Sequence, residues 1–327
     1  MMNFERTMSF PRALVVGIFA MLLAAPAAAQ PGRFTEIVTF GTSLSDPGNA
    51  FALIGATNVP PDYSVDPFLV PDLPYARGGQ HFSNGATWIE QLGRSMGLAG
   101  SVQAAFRGSA SNAHNFAVGG ARAREDGVNV NLSRQVNTFL ERSEGVASPS
   151  ALYVIEMGGN DIRDALTVFA GGGDGGAVIT GAVGSIGEQI AALYRAGART
   201  FLLWNAPNVG RTPALQRLDA VAPGAAFFAG QLSQAFNGGL DAVADQLSHL
   251  PGMRLFRFDA YGTLAAIIAN PDGFGLADVT SACIRPDVAP FVCDAPDAFL
   301  FWDGIHPTKA VHAMLAEQAS RVLARQP

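Results

Sequence analysis

Five short runs of apolar and β-branched residues, Phe34 to Phe40, His114 to Val118, Leu152 to Met157, Thr200 to Trp204 and Met253 to Phe258, are separated by longer segments with helical character. The helical readings cover Ala86 to Leu98, Leu132 to Ser143, Ile162 to Phe169, Ala177 to Ala196, Ala225 to Leu247 and Pro307 to Ala324. Near-continuous apolar strands joined by long crossovers pair in parallel and need helices on both faces. The expected fold class is therefore α/β, a three-layer α/β/α sandwich on a mainly parallel sheet. In such sheets ligands bind outside the carboxyl ends of the strands, so the residues after each run are the ones to read for chemistry.

Composition narrows the class further. With 49% hydrophobic and 15% charged residues among 327, the chain is too apolar for disorder. Its bases are arginines plus a single lysine, Lys309, without a basic run, and the formal net charge is −6. Nucleic acid is not an expected partner. Arg6 and Arg12 precede an apolar run from Ala13 to Ala25, followed by Pro26 and Ala27 to Ala29. This pattern reads as a signal peptide over residues 1–29, since the run falls short of the ~20 residues a spanning helix needs. Residues 30–327 show no linker or repeat and are expected to form one domain, with no further long apolar segment and no stable membrane span after processing. The expected location is secreted or periplasmic. In that compartment Cys283 and Cys293 read as a disulfide, because no other Cys or paired His lies near enough in sequence to complete a zinc cage. No metal or cofactor is expected. Gly171 to Gly176 matches G-x-G-x-x-G but follows a helical pattern, so it reads as a flexible connection.

Four segments carry the candidate chemistry. Phe40-Gly41-Thr42-Ser43-Leu44-Ser45-Asp46 places a serine just past the first strand, although Ser45 or Asp46 also suits a helix N-cap. Asn115 to Ala121 contains Gly119-Gly120, and Glu156 to Asp161 contains Gly158-Gly159-Asn160. Glycine-turn N–H groups and an Asn amide are the donors an oxyanion hole requires. Asp303-Gly304-Ile305-His306-Pro307 spaces a carboxylate three residues before an imidazole, so that the acid can fix the tautomer and leave the other ring nitrogen as a base. His81, His114, His249 and His312 lack this arrangement, and His249 and His312 read as solvated residues on helices.

Together, and in this order, the four segments resemble the SGNH/GDSL hydrolase family over roughly residues 34 to 324. His81-Phe82-Ser83-Asn84-Gly85 is similar to its longer, secreted lipase and esterase branch. The resemblance implies a flavodoxin-like α/β/α fold and a serine carboxylic-ester hydrolase working through an acyl-enzyme. It implies Ser43 as nucleophile, His306 as base, Asp303 as its orienting acid, and the N–H groups of Ser43 and Gly120 with the Asn160 amide as oxyanion donors. The expected partner is an ester, lipid esters included. Thr42 stands where the family usually has Asp. A phospholipase or acyltransferase on the same fold and an inactive binding protein are the alternatives. The Pro-rich stretch from Thr57 to His81 carries Tyr63, Phe68 and Tyr75 and is expected to wall the acyl pocket; a second long loop runs from Pro271 to Pro296.

Overall fold

The computed structural model describes residues 34–325 apart from 56–62, 64, 77–78 and 109–111. The segment read as a signal peptide and part of the Pro-rich stretch lie outside the described residues. Strand β1 (Ile37–Gly41) leads to α1 (Asn49–Ile54), and α2 (Trp88–Ser95) and α3 (Leu132–Arg142) precede β2 (Leu152–Glu156). Helices α4 (Gly159–Ala170) and α5 (Gly175–Ala196) lead to β3 (Thr200–Trp204), and α6 (Pro213–Val221) and α7 (Ala225–Ser248) lead to β4 (Arg254–Phe258). Then follow α8 (Ala260–Ala269), the short strands β5 (Asp278–Ala282) and β6 (Phe299–Phe301), and α9 (Lys309–Ala324).

The main sheet is parallel in the order β1-β2-β3-β4, with Ile37 opposite Leu152, Leu152 opposite Thr200 and Thr200 opposite Arg254. The segment expected as a strand at His114 to Val118 runs along the other edge of β1 without regular strand geometry. Thr39 N donates to His114 O (2.9 Å), Phe116 N to Thr39 O (2.8 Å) and Val118 N to Gly41 O (3.1 Å). Counted in chain order, this segment gives the 2-1-3-4-5 arrangement of a flavodoxin-like sheet, whose order reverses beside β1. The end of β1 is thus the favoured place for a ligand.

Alternation along the strands sorts the core onto the two faces. Tyr153 and Ile155 of β2 join Phe40, Phe201 and Leu203 beneath α3, α4, α5 and α7, with Phe139, Ile162, Ile186 and Phe236 in the same cluster. Leu152 and Val154 join Ile37, Leu202 and Phe258 beneath α2 and α9, with Trp88, Leu92, Ala319 and Leu323. Among the described residues α5 is long and apolar enough to cross a membrane, which corrects the expectation of no further long apolar segment. Its Ile179, Val183, Ile186, Ile190 and Leu193 recur on one buried face against the sheet, as in a core helix.

The second long loop is more ordered than expected, since β5 pairs with β6. Cys283 and Cys293 are disulfide-bonded, with Cα atoms 4.9 Å apart. Cys283 N donates to Phe301 O (3.0 Å) and Ile284 N to Trp302 O (2.9 Å), so the bridge ties its loop to the chain just before Asp303. Closing so short a loop stabilises the fold by about 2–3 kcal/mol in the chain-entropy account. Of the Gly171 to Gly176 stretch expected as a flexible connection, Gly171 to Asp174 joins α4 to α5, where the Asp174 side chain caps α5 by accepting from Ala177 N (3.0 Å), and Gly175 and Gly176 open α5.

Candidate active site

Ser43 lies on the turn that leaves β1. A Cβ on Gly41 would come within 3.0 Å of both Glu156 Oε2 and Ser45 Cβ, so glycine is needed for the chain to turn here. The turn is held from three sides. Gln135 of α3 brackets Gly41, accepting from its N–H and donating to its carbonyl, each at 2.9 Å. Asp46 accepts from the N–H groups of Gly48 (2.8 Å), Asn49 (2.5 Å) and Ala50 (3.0 Å) at the start of α1, and from Gly119 N (2.8 Å). Asn49 donates to Asn115 O and Ala117 O, both at 2.8 Å, and Asn115 donates to Ser45 O at 2.8 Å. The first two motifs are therefore one hydrogen-bonded unit.

The departure at Thr42 is accommodated by a carboxylate from the adjacent strand. Glu156, the last residue of β2, is buried and accepts from Thr42 N (3.0 Å) and Ser45 Oγ (3.0 Å). Thr42 Oγ1 lies 3.0 and 3.1 Å from the two Glu156 oxygens. Ser45 in turn accepts from Trp88 Nε1 (2.9 Å), which leaves its own proton for Glu156. An Asp at position 42 would set a second carboxylate against Glu156, whereas threonine offers a donor. Burial raises Glu156 to about 7, opposed by the Thr42 and Ser45 hydrogen bonds.

On the opposite side of Ser43, Asp303 and His306 form a buried turn. His306 Nε2 lies 2.7 Å from Ser43 Oγ, and His306 Nδ1 lies 2.7 Å from Asp303 Oδ2. An ionised carboxylate only accepts, so Nδ1 donates to it and the Nε2 lone pair faces the serine hydroxyl. Asp303 Oδ1 accepts from the N–H groups of Ile305 (2.9 Å) and His306 (2.7 Å), closing the turn. The chain leaves through Pro307, and α9 starts two residues later than the sequence suggests because the Thr308 side chain caps it by accepting from Val311 N.

The aromatics of the Pro-rich stretch do not line the cavity beside Ser43. Tyr75 OH donates to Asp303 Oδ2 at 2.9 Å, and burial, then the Asp303 charge, pushes this phenol well above its usual range. Tyr63, Tyr75 and Trp302 pack edge to face with ring centroids 5.7–6.4 Å apart, in one cluster with the disulfide. Half-buried Phe68 packs against the main core, and its neighbour Leu69 accepts from Gly304 N at 2.8 Å. A Cβ on Gly304 would fall 2.2 Å from Phe68 O, so this close approach requires glycine. The expected pocket wall is thus a brace under Asp303. Aromatics in a Pro-rich loop read equally as wall or brace, and only the position of the loop beneath Asp303 separates them.

The cavity at Ser43 has a volume of about 70 Å³ and is lined by Ser43, Leu44, Glu156, Asn160, Arg163, Trp204, Ile305 and His306 among others. Asn160 and Arg163 share one face of α4, three residues apart. One Asn160 amide hydrogen goes to Ala121 O (2.8 Å), leaving the second to donate elsewhere. Arg163 is pulled down from its usual range by burial, with Asp66 and Asp303 opposing. Gly120, at φ +82°, lies on the loop whose Gly119 is tied to Asp46, and it is not one of the cavity's lining residues.

Two other histidines are also engaged: His81 pairs with Glu90 (2.8 Å) and His114 with Glu36 (2.6 Å). His249 is exposed as expected. His312 is not solvated. It is buried against α2, accepts from Trp88 N (3.2 Å) through Nδ1, and is lowered to about 3, chiefly by burial.

Glu156 gives the first prediction. Its folded value of about 7 lies above the ordinary 4.5, so between those values the folded chain holds a proton that the unfolded chain has released. Stability therefore falls as pH rises through this window, by roughly 3 kcal/mol once complete. Asp161, raised to about 6 by burial, adds a slope of the same sign, while buried His312 adds the opposite one below its unfolded value. Comparison with Glu156→Gln cancels both. The wild-type advantage in urea-unfolding free energy is expected to shrink by roughly 3 kcal/mol between pH 4.5 and 8. A constant difference would show that Glu156 does not titrate there.

A family model described as GDSL-like Lipase/Acylhydrolase matches residues 37–319. A GDSL esterase/lipase of Arabidopsis thaliana is 28% identical over an alignment covering 88% of this chain and 85% of its own. A phosphatidylcholine-sterol acyltransferase of Aeromonas hydrophila is 24% identical, covering 95% of this chain and 96% of its own. The crystal structure of an extracellular lipase from Streptomyces rimosus aligns with a TM-score of 0.38 at 17% identity, covering 90% of this chain and 100% of that one. With its four motifs at the strand ends and the family model spanning most of its length, the chain belongs to the GDSL-like lipase/acylhydrolase family.

Proposed function

We propose that this protein, a carboxylic ester hydrolase by family, is an exported serine esterase or lipase that works through an acyl-enzyme on Ser43. The observation that carries the reading is the buried relay from Ser43 Oγ to His306 Nε2 and from His306 Nδ1 to Asp303, both links at 2.7 Å. Ser43 Oγ attacks the ester carbonyl while its proton passes to His306 Nε2, and the carbonyl oxygen becomes an oxyanion. The Ser43 and Gly120 N–H groups and the Asn160 amide stabilise that charge. Collapse expels the alcohol, which takes the proton from His306. Water then attacks the acyl-enzyme, again giving its proton to His306, and the acid and free Ser43 are released. Export is supported by the sequence of residues 1–29 and by the Cys283–Cys293 bridge.

The inactive-binder alternative rested on Thr42. The hydrogen bonds from Thr42 and Ser45 to Glu156 hold the nucleophile turn without the usual Asp, which supports an active enzyme. The test is turnover of a short-chain p-nitrophenyl ester by the wild type and by Ser43→Ala. Only the wild type is expected to release p-nitrophenol above background, and equal turnover by both would remove Ser43 from the mechanism. Similarity to the Aeromonas acyltransferase along nearly the full length favours a second outcome for the same acyl-enzyme, capture by an alcohol. Product analysis with an alcohol acceptor present separates ester exchange from hydrolysis.

A further inference from the structure

A second chamber lies behind the Ser43 cavity. Its volume is about 70 Å³, and its walls include Leu264 and Ile267 of α8, Leu300 and Phe301 of β6, and Val311 and Leu315 of α9. None of the residues lining it is charged. Ile267, Leu300, Phe301 and Val311 are each no more than 3% exposed, so the chamber sits within a satellite core. Protein interiors are close-packed, and a void larger than a methyl group costs stability unless something uses it.

The chamber's position relative to the reacting groups indicates that use. Leu44, Trp204, Pro207, Thr212 and Ile305 line both this chamber and the Ser43 cavity. Leu44 directly follows Ser43 and Ile305 directly precedes His306, so the two spaces meet one residue from the nucleophile and one residue from the base. Two side chains of the shared wall carry a polar atom: Thr212 donates its hydroxyl proton to Val209 O at 2.8 Å, and the buried Trp204 Nε1 has no hydrogen-bond partner among the described residues. Apart from these two groups, a chain threading from the Ser43 carbonyl into this space meets apolar side chains.

We infer that this chamber is the acyl site, and that the substrates are esters of straight-chain aliphatic acids longer than acetate. The inference rests on the proposed acyl-enzyme at Ser43 and names the acid that Ser43 carries. It moves the acyl pocket from the Pro-rich stretch to the space between α8, β6 and α9. It also disfavours acetylated polysaccharides, whose acyl group is too short to reach past Leu44.

The experiment is a chain-length series of p-nitrophenyl esters from acetyl to octanoyl, with the wild type, Leu264→Trp and Leu264→Ala. Wild-type kcat/KM should climb from acetyl to hexanoyl by up to about fourfold per methylene. Leu264→Trp fills the chamber and should lower the hexanoyl-to-acetyl ratio at least tenfold. Leu264→Ala enlarges it and should move the optimum toward longer acids, which keeps the test decisive if Trp at this position impairs folding. A flat wild-type series, or a ratio and optimum unmoved by both substitutions, overturns the acyl assignment. Ser43-dependent turnover with a flat series defeats this inference alone, whereas absence of Ser43-dependent turnover on every ester defeats the acyl-enzyme reading itself.

Discussion

His306→Ala is expected to lower kcat by on the order of 10⁴- to 10⁶-fold, the range typical when the base of a serine triad is removed. The serine hydroxyl is a poor nucleophile until its proton has somewhere to go, and His306 Nε2, 2.7 Å away, is the acceptor in the proposed mechanism. The loss should fall on kcat with little change in KM, because a neutral ester gains nothing in its ground state from the imidazole. Asp303, fully buried, would be left without the imidazole N–H but would keep the Tyr75 hydroxyl and two backbone N–H groups. The variant is therefore expected to fold, and circular dichroism with initial-rate kinetics checks both points. A rise in KM at constant kcat would assign His306 to binding.

Asn160→Ala carries the second largest effect. Loss of one oxyanion donor typically costs about 10²- to 10³-fold in kcat. Asn160 opens the first turn of α4 and lines the Ser43 cavity, with one amide hydrogen already committed to Ala121 O. That bond fixes the amide plane, and in the proposed mechanism the remaining hydrogen donates to a charge that exists only in the transition state. Steady-state kinetics should show kcat falling and KM nearly constant. A change confined to KM would place Asn160 among the substrate-binding groups.

The sheet and the four motifs were legible because their signals are local. The Thr200 to Trp204 run is β3 residue for residue, and the expected Leu132 to Ser143 helix differs from α3 by a single residue. His114 to Val118 has the sequence of a strand and bonds to β1, but forms isolated bridges instead of a regular strand, and the Asn115 side chain accepts from Ala117 N within it and donates to Ser45 O on the nucleophile turn. Helix α8 is hard to read from sequence because it is apolar almost throughout and shows no period, although the Asp259 cap before it is a usable signal. Helix α6 carried a similar clue in Thr212-Pro213, a capping side chain followed by proline at the first helical position.

The site was less legible where its parts meet from distant segments. Glu156 stands in a quoted motif, yet its role depends on strand pairing that sets Gly41 opposite it, 115 positions earlier in the chain. A lone carboxylate closing a buried apolar strand was the available hint. His312 shares a face of α9 with Ala316 and Ala319, both buried, which is the pattern of a core position and could have corrected the solvated reading. Tyr75 could not be assigned from sequence, since its partner Asp303 lies 228 residues away.

The most direct test of the acyl-enzyme account is covalent labelling. An organophosphonate ester should inactivate the enzyme with one adduct per chain, and peptide mass spectrometry should place that adduct on Ser43, the hydroxyl facing His306 Nε2. Labelling should vanish in Ser43→Ala. An adduct on Ser45 or Ser83, or undiminished labelling and turnover in Ser43→Ala, would contradict the assignment of Ser43 as the nucleophile.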